Sequence, residues 1–405
     1  MTISLDFQEV SWLLIGTSIL LSIIYLWWQL WQYRTIRDRA EGCSIHEADG
    51  SDAELPAASI IVYSHNDAEC LRRSLPYLLN QDYPEYEVIV VNDGLVVDDS
   101  NVVAEFRCKY DNLYETFVPD DTRNVSRRKL ALMVGIKAAK HDIIITTNAN
   151  SHPTTAHWLR MMCRNFTPGI DIVVGQSVYN HNDDNESGHR YRRYDNVCTR
   201  ALYTAWGISR KPYRGTCDNL AYRREAFFAN KGFSKSMNLH YGDDDIFVSE
   251  IAGDANSRVE LSPESFVTTT YDDVARTLRE HKFRYDFTSR YIATRAFLAE
   301  GVMSAVYYLN FAVIGALVAI GAANIEPILA LDTIAVAQTA SAPLLLLLLT
   351  VPHILIFRHT SALLQMPCTF LTVPLFALLR PIVNLRYRLK GRRFISQNFT
   401  WQRLK

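Results

Sequence analysis

Residues 59–94 read SIIVYSHNDAECLRRSLPYLLNQDYPEYEVIVVNDG, and their patterning decides the fold class. Ala58 to Tyr63 is a short apolar run rich in β-branched residues, the composition of a strand buried on both faces. Leu71, Leu75, Leu78 and Leu79 then recur at helical spacing, which predicts a helix over Ala68–Leu79. Tyr86 to Val91 is a second buried-strand run. Further along, a short helix is expected over Val103–Tyr110 and a longer one over Arg128–Ala139, with Leu130, Val134, Ile136 and Ala138 supplying apolar positions. Asp142–Thr147 and Ile170–Val174 read as further strands. Strands alternating with helices build a parallel sheet covered by helices, so the expected class is α/β.

In open α/β sheets, ligands bind beyond the carboxyl ends of the strands. The first strand is followed by Ser64, His65, Asn66, Asp67 and Glu69, the second by Asn92, Asp93 and Gly94, and the third by Asn148, Ala149 and Asn150. One such group alone fits a helix cap or a turn equally well. Three in register point to a nucleotide pocket. A nucleotidyltransferase can share such a sheet but usually carries a glycine-rich phosphate loop after the first strand, and Ser64–Asp67 contains no glycine.

The flanks of this domain are apolar. Ser11 to Trp31 carries no charge, and about 20 apolar residues cross a bilayer core as a helix. Trp27, Trp28 and Trp31 sit where an interfacial aromatic belt would lie, and Arg34, Arg37 and Arg39 follow on the side that the positive-inside rule makes cytoplasmic. Asp6 and Glu9 precede the run, which argues against a cleaved signal peptide. Two more apolar runs cover Val302–Asn324 and Ala342–Phe357. A fourth, Leu363–Leu379, is broken by Pro367 and Pro374 and leads into Arg380, Arg386, Arg388, Lys390, Arg392 and Arg393. That order favours an interfacial helix whose basic tail lies on anionic headgroups over a full span. The expected organisation is an anchor at 1–35, a linker at 36–56 (polar from Glu41 to Pro56), a cytoplasmic catalytic domain at 57–290, two transmembrane helices at 291–360, and an interfacial helix with basic tail at 361–405. The net charge of −1 gives no field that draws nucleic acid, so none is expected as a partner. The seven cysteines form no C-x-x-C pair and suit a reducing compartment.

The opening stretch resembles that of family 2 glycosyltransferases with the GT-A fold: a strand, a helix ending near Gln-Asp-Tyr-Pro, and a strand ending in Val-Asn-Asp. The likeness continues in RRKLALMVGIKAAKHDIIITTNANS (127–151), NLAYRREAFFANKGF (219–233), GDDDIF (242–247) and REHKFRY (279–285). The resemblance implies an α/β fold with a mixed, mainly parallel sheet flanked by helices, and the hydrophobic layout resembles members held in bacterial inner membranes. The resemblance implies an inverting transferase that moves a sugar from a nucleotide-sugar donor, expected to be UDP-linked, to a glycan or lipid-linked acceptor. Asp67 and Asp93, with Asn92 beside them, match positions that contact the base and ribose, and Lys129 matches a basic position suited to the diphosphate. Gly215 to Arg223, with Asn219 and Arg223, match the acceptor-side loop. Asp244, with Asp243 beside it, matches the catalytic base. Arg279, His281, Lys282, Arg284 and Tyr285 lie where the family has a Gln/Arg-rich motif that grips the diphosphate and acceptor end. The same residues also read as a basic juxtamembrane helix on anionic lipid. With so few spans, single or few additions are expected rather than processive synthesis.

One departure stands out. The family's third strand ends in Asp-x-Asp, whose carboxylates hold Mg²⁺ or Mn²⁺; here it reads Thr147-Asn148-Ala149-Asn150. Asn148 and Asn150 thus stand at the metal positions with neutral carbonyls, whereas hard cations favour charged oxygens. Three readings follow. Metal is used weakly, or the diphosphate is neutralised by Lys129, Arg127, Arg128 or the Arg284 region, or the chain is a degenerate transferase that binds a nucleotide sugar or a partner enzyme.

Overall fold

The computed structural model describes residues 7–48, 55–94, 98–118, 125–180, 189–271, 274–323, 333–366 and 368–398. In chain order it contains α1 (Phe7–Ala48), β1 (Ala58–Ser64), α2 (Ala68–Leu79), β2 (Tyr86–Asn92), α3 (Asp98–Arg107), β3 (Leu113–Phe117), α4 (Arg127–Ala138) and β4 (Ile143–Asn148). Then come β5 (Ser151–Pro153), α5 (Trp158–Cys163), β6 (Ile172–Val174), β7 (Ser177–Asn180), α6 (His189–Ser209), β8 (Leu220–Arg223), α7 (Arg224–Ala229), α8 (Asp245–Ile251), β9 (Ser257–Val259) and β10 (Val267–Thr270). The chain closes with α9 (Val274–Thr288), α10 (Ala296–Ala323), α11 (Thr333–Leu363) and α12 (Val373–Asn398).

The main sheet has the order β3-β2-β1-β4-β8-β6-β9. The first four strands are parallel, and β8 runs antiparallel to both β4 and β6. The period of two along β1 divides its side chains between two cores. Ile60 and Val62 pack with Leu71, Leu75 and Leu78 of α2 and with Trp158, whereas Ile61 faces Ala131, Leu132 and Ile136 of α4. Gly135 allows α4 to approach closely, since a Cβ there would lie 2.7 Å from both Ile61 and Val91 side chains. A smaller sheet, β5-β10-β7, flanks the end of β4.

The structure differs from the sequence expectation in several places. The expected Val103–Tyr110 helix starts earlier, at Asp98, and ends at Arg107. The strand expected over Ile170–Val174 is β6, which spans Ile172–Val174 and is separated from β4 in the sheet by β8. Residues 36–48 continue α1 as helix and are not a loose linker, while 49–54 lie outside the described residues. The cause is docking. Ile36 and Cys43 are buried against α6, Arg39 Nε donates to the Val259 carbonyl at 2.9 Å, and Arg164 Nη2 donates to the Cys43 carbonyl at 3.1 Å.

Among the described residues, three helices are long and apolar enough to cross a membrane: α1 over Glu9–Cys43, α10 over Ala296–Ala323, and α11 over Ala340–Leu363. Asn324, at the end of the second apolar run, lies outside the described residues. The fourth run is interrupted as its prolines suggest, and α12 begins only at Val373. Residues 399–405 of the basic tail lie outside the described residues. α12 is fastened to the α/β domain by buried charge. Asp195 of α6 accepts from Lys282 of α9 and, at 3.0 Å, from Arg380 of α12, and Arg380 also pairs with Glu300 of α10.

Candidate active site

The parallel registers set Ser64 opposite Asn92 and Tyr63 opposite Asn148, so the carboxyl ends of β2, β1 and β4 lie abreast. Asp93 is buried there. Its Oδ2 accepts from the Tyr63 hydroxyl at 2.8 Å and its Oδ1 from Arg127 Nε at 2.7 Å. The Asn92 Oδ1 accepts from the Gly94 amide at 2.8 Å, closing the turn after β2. Asp99, which the sequence did not single out, ties the neighbouring loop together: its Oδ2 accepts from Ser64 Oγ at 2.6 Å and from the Asp67 amide at 3.4 Å. Asp67 stands exposed at the head of α2.

The Gly242–Asp245 segment meets these strand ends from across the cleft. Gly242 has φ +103°, and a Cβ would strike Ile246 at 2.4 Å, so the turn requires glycine. Asp244 caps α8, its Oδ1 accepting from the Asp245 amide at 2.6 Å. Its Oδ2 accepts from the Cys217 amide at 3.3 Å and from Arg284 Nη2. Asp243 Oδ2 accepts from Arg128 Nε at 2.6 Å, while its Oδ1 lies 3.5 Å from Arg284 Nη2. Arg128 spans the cleft, with Nη2 donating to Asn148 Oδ1 at 2.6 Å and its guanidinium stacked 4.6 Å above the Tyr63 ring. Asn148 Nδ2 in turn donates to Asp218.

Electrostatics separates the three aspartates. Burial raises the Asp243 carboxyl, but Arg128 and Arg284 outweigh it and hold the group well below the usual carboxylate range. Burial pushes Asp245 up to about 7, against the pull of Arg214. Asp245 faces inward, accepting from Arg214 Nε at 3.2 Å and from Thr288 Oγ1 at 2.9 Å, and so anchors α9 instead of meeting a substrate. The cleft is fronted by cations. Arg127, Arg128 and Arg284 keep 25%, 23% and 19% of their side chains exposed, whereas Asp93, Asp243 and Asp244 behind them keep 2%, 2% and 4%.

Residues 59–230 match the family model described as glycosyl transferase family 2. Over that stretch the chain is similar to family 2 glycosyl transferases. It is similar to Glycosyltransferase AglE of Haloferax volcanii, 26% identical over 146 residues that make up 35% of this chain and 46% of that protein. It is also similar to Probable glycosyltransferase YdaM of Bacillus subtilis, 32% identical over 103 residues that make up 25% of this chain and 24% of that one. The chain thus matches less than half the length of these curated relatives. Among solved structures, the mannosyltransferase PcManGT from Pyrobaculum calidifontis, in complex with GDP-Man and Mn²⁺, superposes with a TM-score of 0.53 at 17% identity, covering 92% of this chain and 99% of that one. That likeness concerns the fold, which is of the GT-A type.

Within the α/β domain, several residues expected at the donor or acceptor side lie elsewhere. Lys129 is turned away from the cleft. Its buried Nζ donates to the carbonyls of Ser236, Leu239 and Tyr241 at 2.6, 3.2 and 2.9 Å, and burial lowers it to about 8. The reason is helical phase: Arg128 faces the cleft, and its neighbour a third of a turn on faces the 236–241 loop. Arg223 lies at the far end of β8, opposite Ile143 at the start of β4, and ties down the carbonyls of Ile170 and Phe166. Asn219 is wholly buried, donating to the carbonyls of Gln176 and Ser265 and accepting from Trp158 Nε1. Only the start of that loop, Cys217 and Asp218, reaches the cleft. The basic motif on α9 divides by helical face: Arg284 enters the cleft, Lys282 pairs with Asp195, His281 is packed among Tyr179, Tyr271 and Tyr285, and Arg279 is exposed.

The residues at the expected metal positions do not suit a hard divalent cation. Asn148 presents its single side-chain oxygen to Arg128, and Asn150 donates through Nδ2 to the Thr270 carbonyl at 3.1 Å and accepts from Ser151 Oγ at 3.4 Å. Asp218 accepts from Asn148, Ser177 and Thr269. Among the described residues, no three His, Cys, Asp or Glu side chains converge on a point where a metal ion would sit.

Proposed function

We propose that the protein is a membrane-anchored inverting glycosyltransferase that moves a sugar from a nucleotide donor to a glycan or lipid-linked acceptor at the cytoplasmic face. The observation that carries the reading is the meeting of Asp244, at the head of α8, with the carboxyl ends of β1, β2 and β4 across one arginine-fronted cleft. Asp67, Asp93 and Asn92 take the nucleoside, whose ring N–H and sugar hydroxyls suit carboxylate and amide acceptors. UDP-linked sugars are the first donors to test.

The chemistry asked of Asp244 is proton removal. The acceptor hydroxyl oxygen attacks the anomeric carbon, its proton passes to the Asp244 carboxylate, and the carbon–oxygen bond to the nucleoside diphosphate breaks with its electron pair on the leaving oxygen. Inversion follows from attack opposite the leaving group. Asp243, held ionised between two arginines, orients them and takes no proton. The three apolar helices and the arginines after Trp31 support a plasma-membrane, multi-pass placement with the domain inside.

The test is a donor-hydrolysis and transfer assay on the purified full chain with UDP-, GDP- and dTDP-sugars. Turnover of one donor supports the enzyme. Tight donor binding with no turnover of any donor would leave the non-catalytic, partner-organising reading in its place.

A further inference from the structure

We infer that Arg128 and Arg284 together take the place of a divalent ion, gripping the donor's diphosphate directly. This rests on the glycosyltransferase reading of the cleft and deepens it.

Three observations carry the inference. The first is the hydrogen-bond sense at Asn148. A guanidinium only donates, so the Asn148 oxygen faces Arg128 and its NH₂ faces Asp218. An asparagine satisfies both neighbours at once. An aspartate at 148 would set two carboxylates side by side, an arrangement that demands a cation between them or a protonated member. The residue choice at 148 therefore fits a fixed arginine on that oxygen and disfavours a mobile metal there. The second is layering: the guanidiniums of Arg127, Arg128 and Arg284 stay partly exposed while Asp93, Asp243 and Asp244 are buried, so an entering diphosphate meets positive charge first. The third is preorganisation. Arg128 is fixed on two sides, by Asp243 and Asn148, and stacked on Tyr63. Arg284 is held by Asp244 and Asp243. A planar guanidinium fork matches phosphate oxygens with paired N–H donors, which a lysine cannot do.

The same geometry couples donor to base. Arg284 donates to Asp244 Oδ2, and a diphosphate competes with that carboxylate for the guanidinium. Drawing Arg284 toward phosphate uncovers the oxygen that receives the acceptor's proton.

The experiment is calorimetric titration of the full chain with UDP and GDP, run in EDTA and again in Mn²⁺, with Mn²⁺ occupancy read separately by electron paramagnetic resonance. The expected result is that one nucleoside diphosphate binds with the same affinity in EDTA as in Mn²⁺, and that the wild type leaves Mn²⁺ in solution. Arg128→Gln, checked for an intact thermal transition, should weaken that binding by about tenfold or more. Asn148→Asp, which pairs a new carboxylate with Asp218, should bind Mn²⁺ and make diphosphate binding metal-dependent. Binding that requires Mn²⁺ in the wild type would overturn the inference and leave the transferase reading intact, as would unchanged affinity in folded Arg128→Gln. Failure of any nucleoside diphosphate to bind under either condition would overturn the reading of the cleft itself.

Discussion

Asp243, Asp244 and Asp245 are adjacent and chemically identical, yet the fold gives them three tasks. The first balances two arginines, the second faces the cleft, and the third is sealed inside against Arg214 and Thr288. For Asp245 the folded state favours the protonated form, since its carboxyl is raised from 3.8 to about 7. The folded protein therefore binds more protons than the unfolded chain between these values, and the contribution of Asp245 to stability falls as pH rises through that window. The margin of wild type over Asp245→Asn in thermal unfolding should shrink from about pH 4 to about pH 7 and stay level above. Lys129 shows the limit of reading a motif residue by residue. Its place in the first turn of a helix was legible, but which way it points depends on helical phase against a loop more than 100 residues later. Lys129→Met should cost about 3 kcal/mol by stranding buried carbonyls, and leave donor affinity unchanged. Paired denaturation and binding measurements check both halves.

At the scale of elements, periodicity read well in the first half of the α/β domain, whereas the 21-residue α6 was not anticipated. β1, α2, β2 and α4 lie within a residue of their expected bounds, because a core face imposes a strict period. The strands that were missed, β3, β5, β7, β8, β9 and β10, have three to five residues each, too short for a pattern. β8 matters most, for it delivers Cys217 and Asp218 to the cleft, and a lone Cys-Asp-Asn carries no distinctive spacing. The polar extension of α1 was misread for a related reason: composition reports solvation, whereas Ile36, Arg39 and Cys43 gain their partners from α6, β9 and the segment after α5. Arg39→Ala should loosen that docking by about 1–2 kcal/mol and raise proteolytic cleavage within residues 36–48. Limited proteolysis followed by mass spectrometry reads the site of cutting.

Over the whole molecule, a buried ionic junction joins the α/β domain to the helices beside the membrane candidates. Asp195, Lys282, Arg380 and Glu300 come from four helices that are distant in sequence, and no local pattern announces them. Removing one member of such a group strands the others. Arg380→Met should lower stability by about 3 kcal/mol, and Asp195→Asn in the same chain should recover part of the loss. Thermal unfolding of the single and double variants in one detergent decides it. The meeting of the β1, β2 and β4 ends was legible, because parallel strands bring their carboxyl ends together whatever the loops do. Arg127, Arg128 and Arg284 were candidates in the sequence, but their contacts with Asn148, Asp243 and Asp218 were not, since these residues meet only in three dimensions. The most direct measurement of the central claim is sugar transfer from a nucleotide donor by the purified chain and by Asp244→Asn, with donor affinity measured on both. Transfer by the wild type, a loss of about 10²–10⁴-fold in kcat for the variant, and near-equal donor affinity are the predicted results. Undiminished transfer by a folded Asp244→Asn would contradict it.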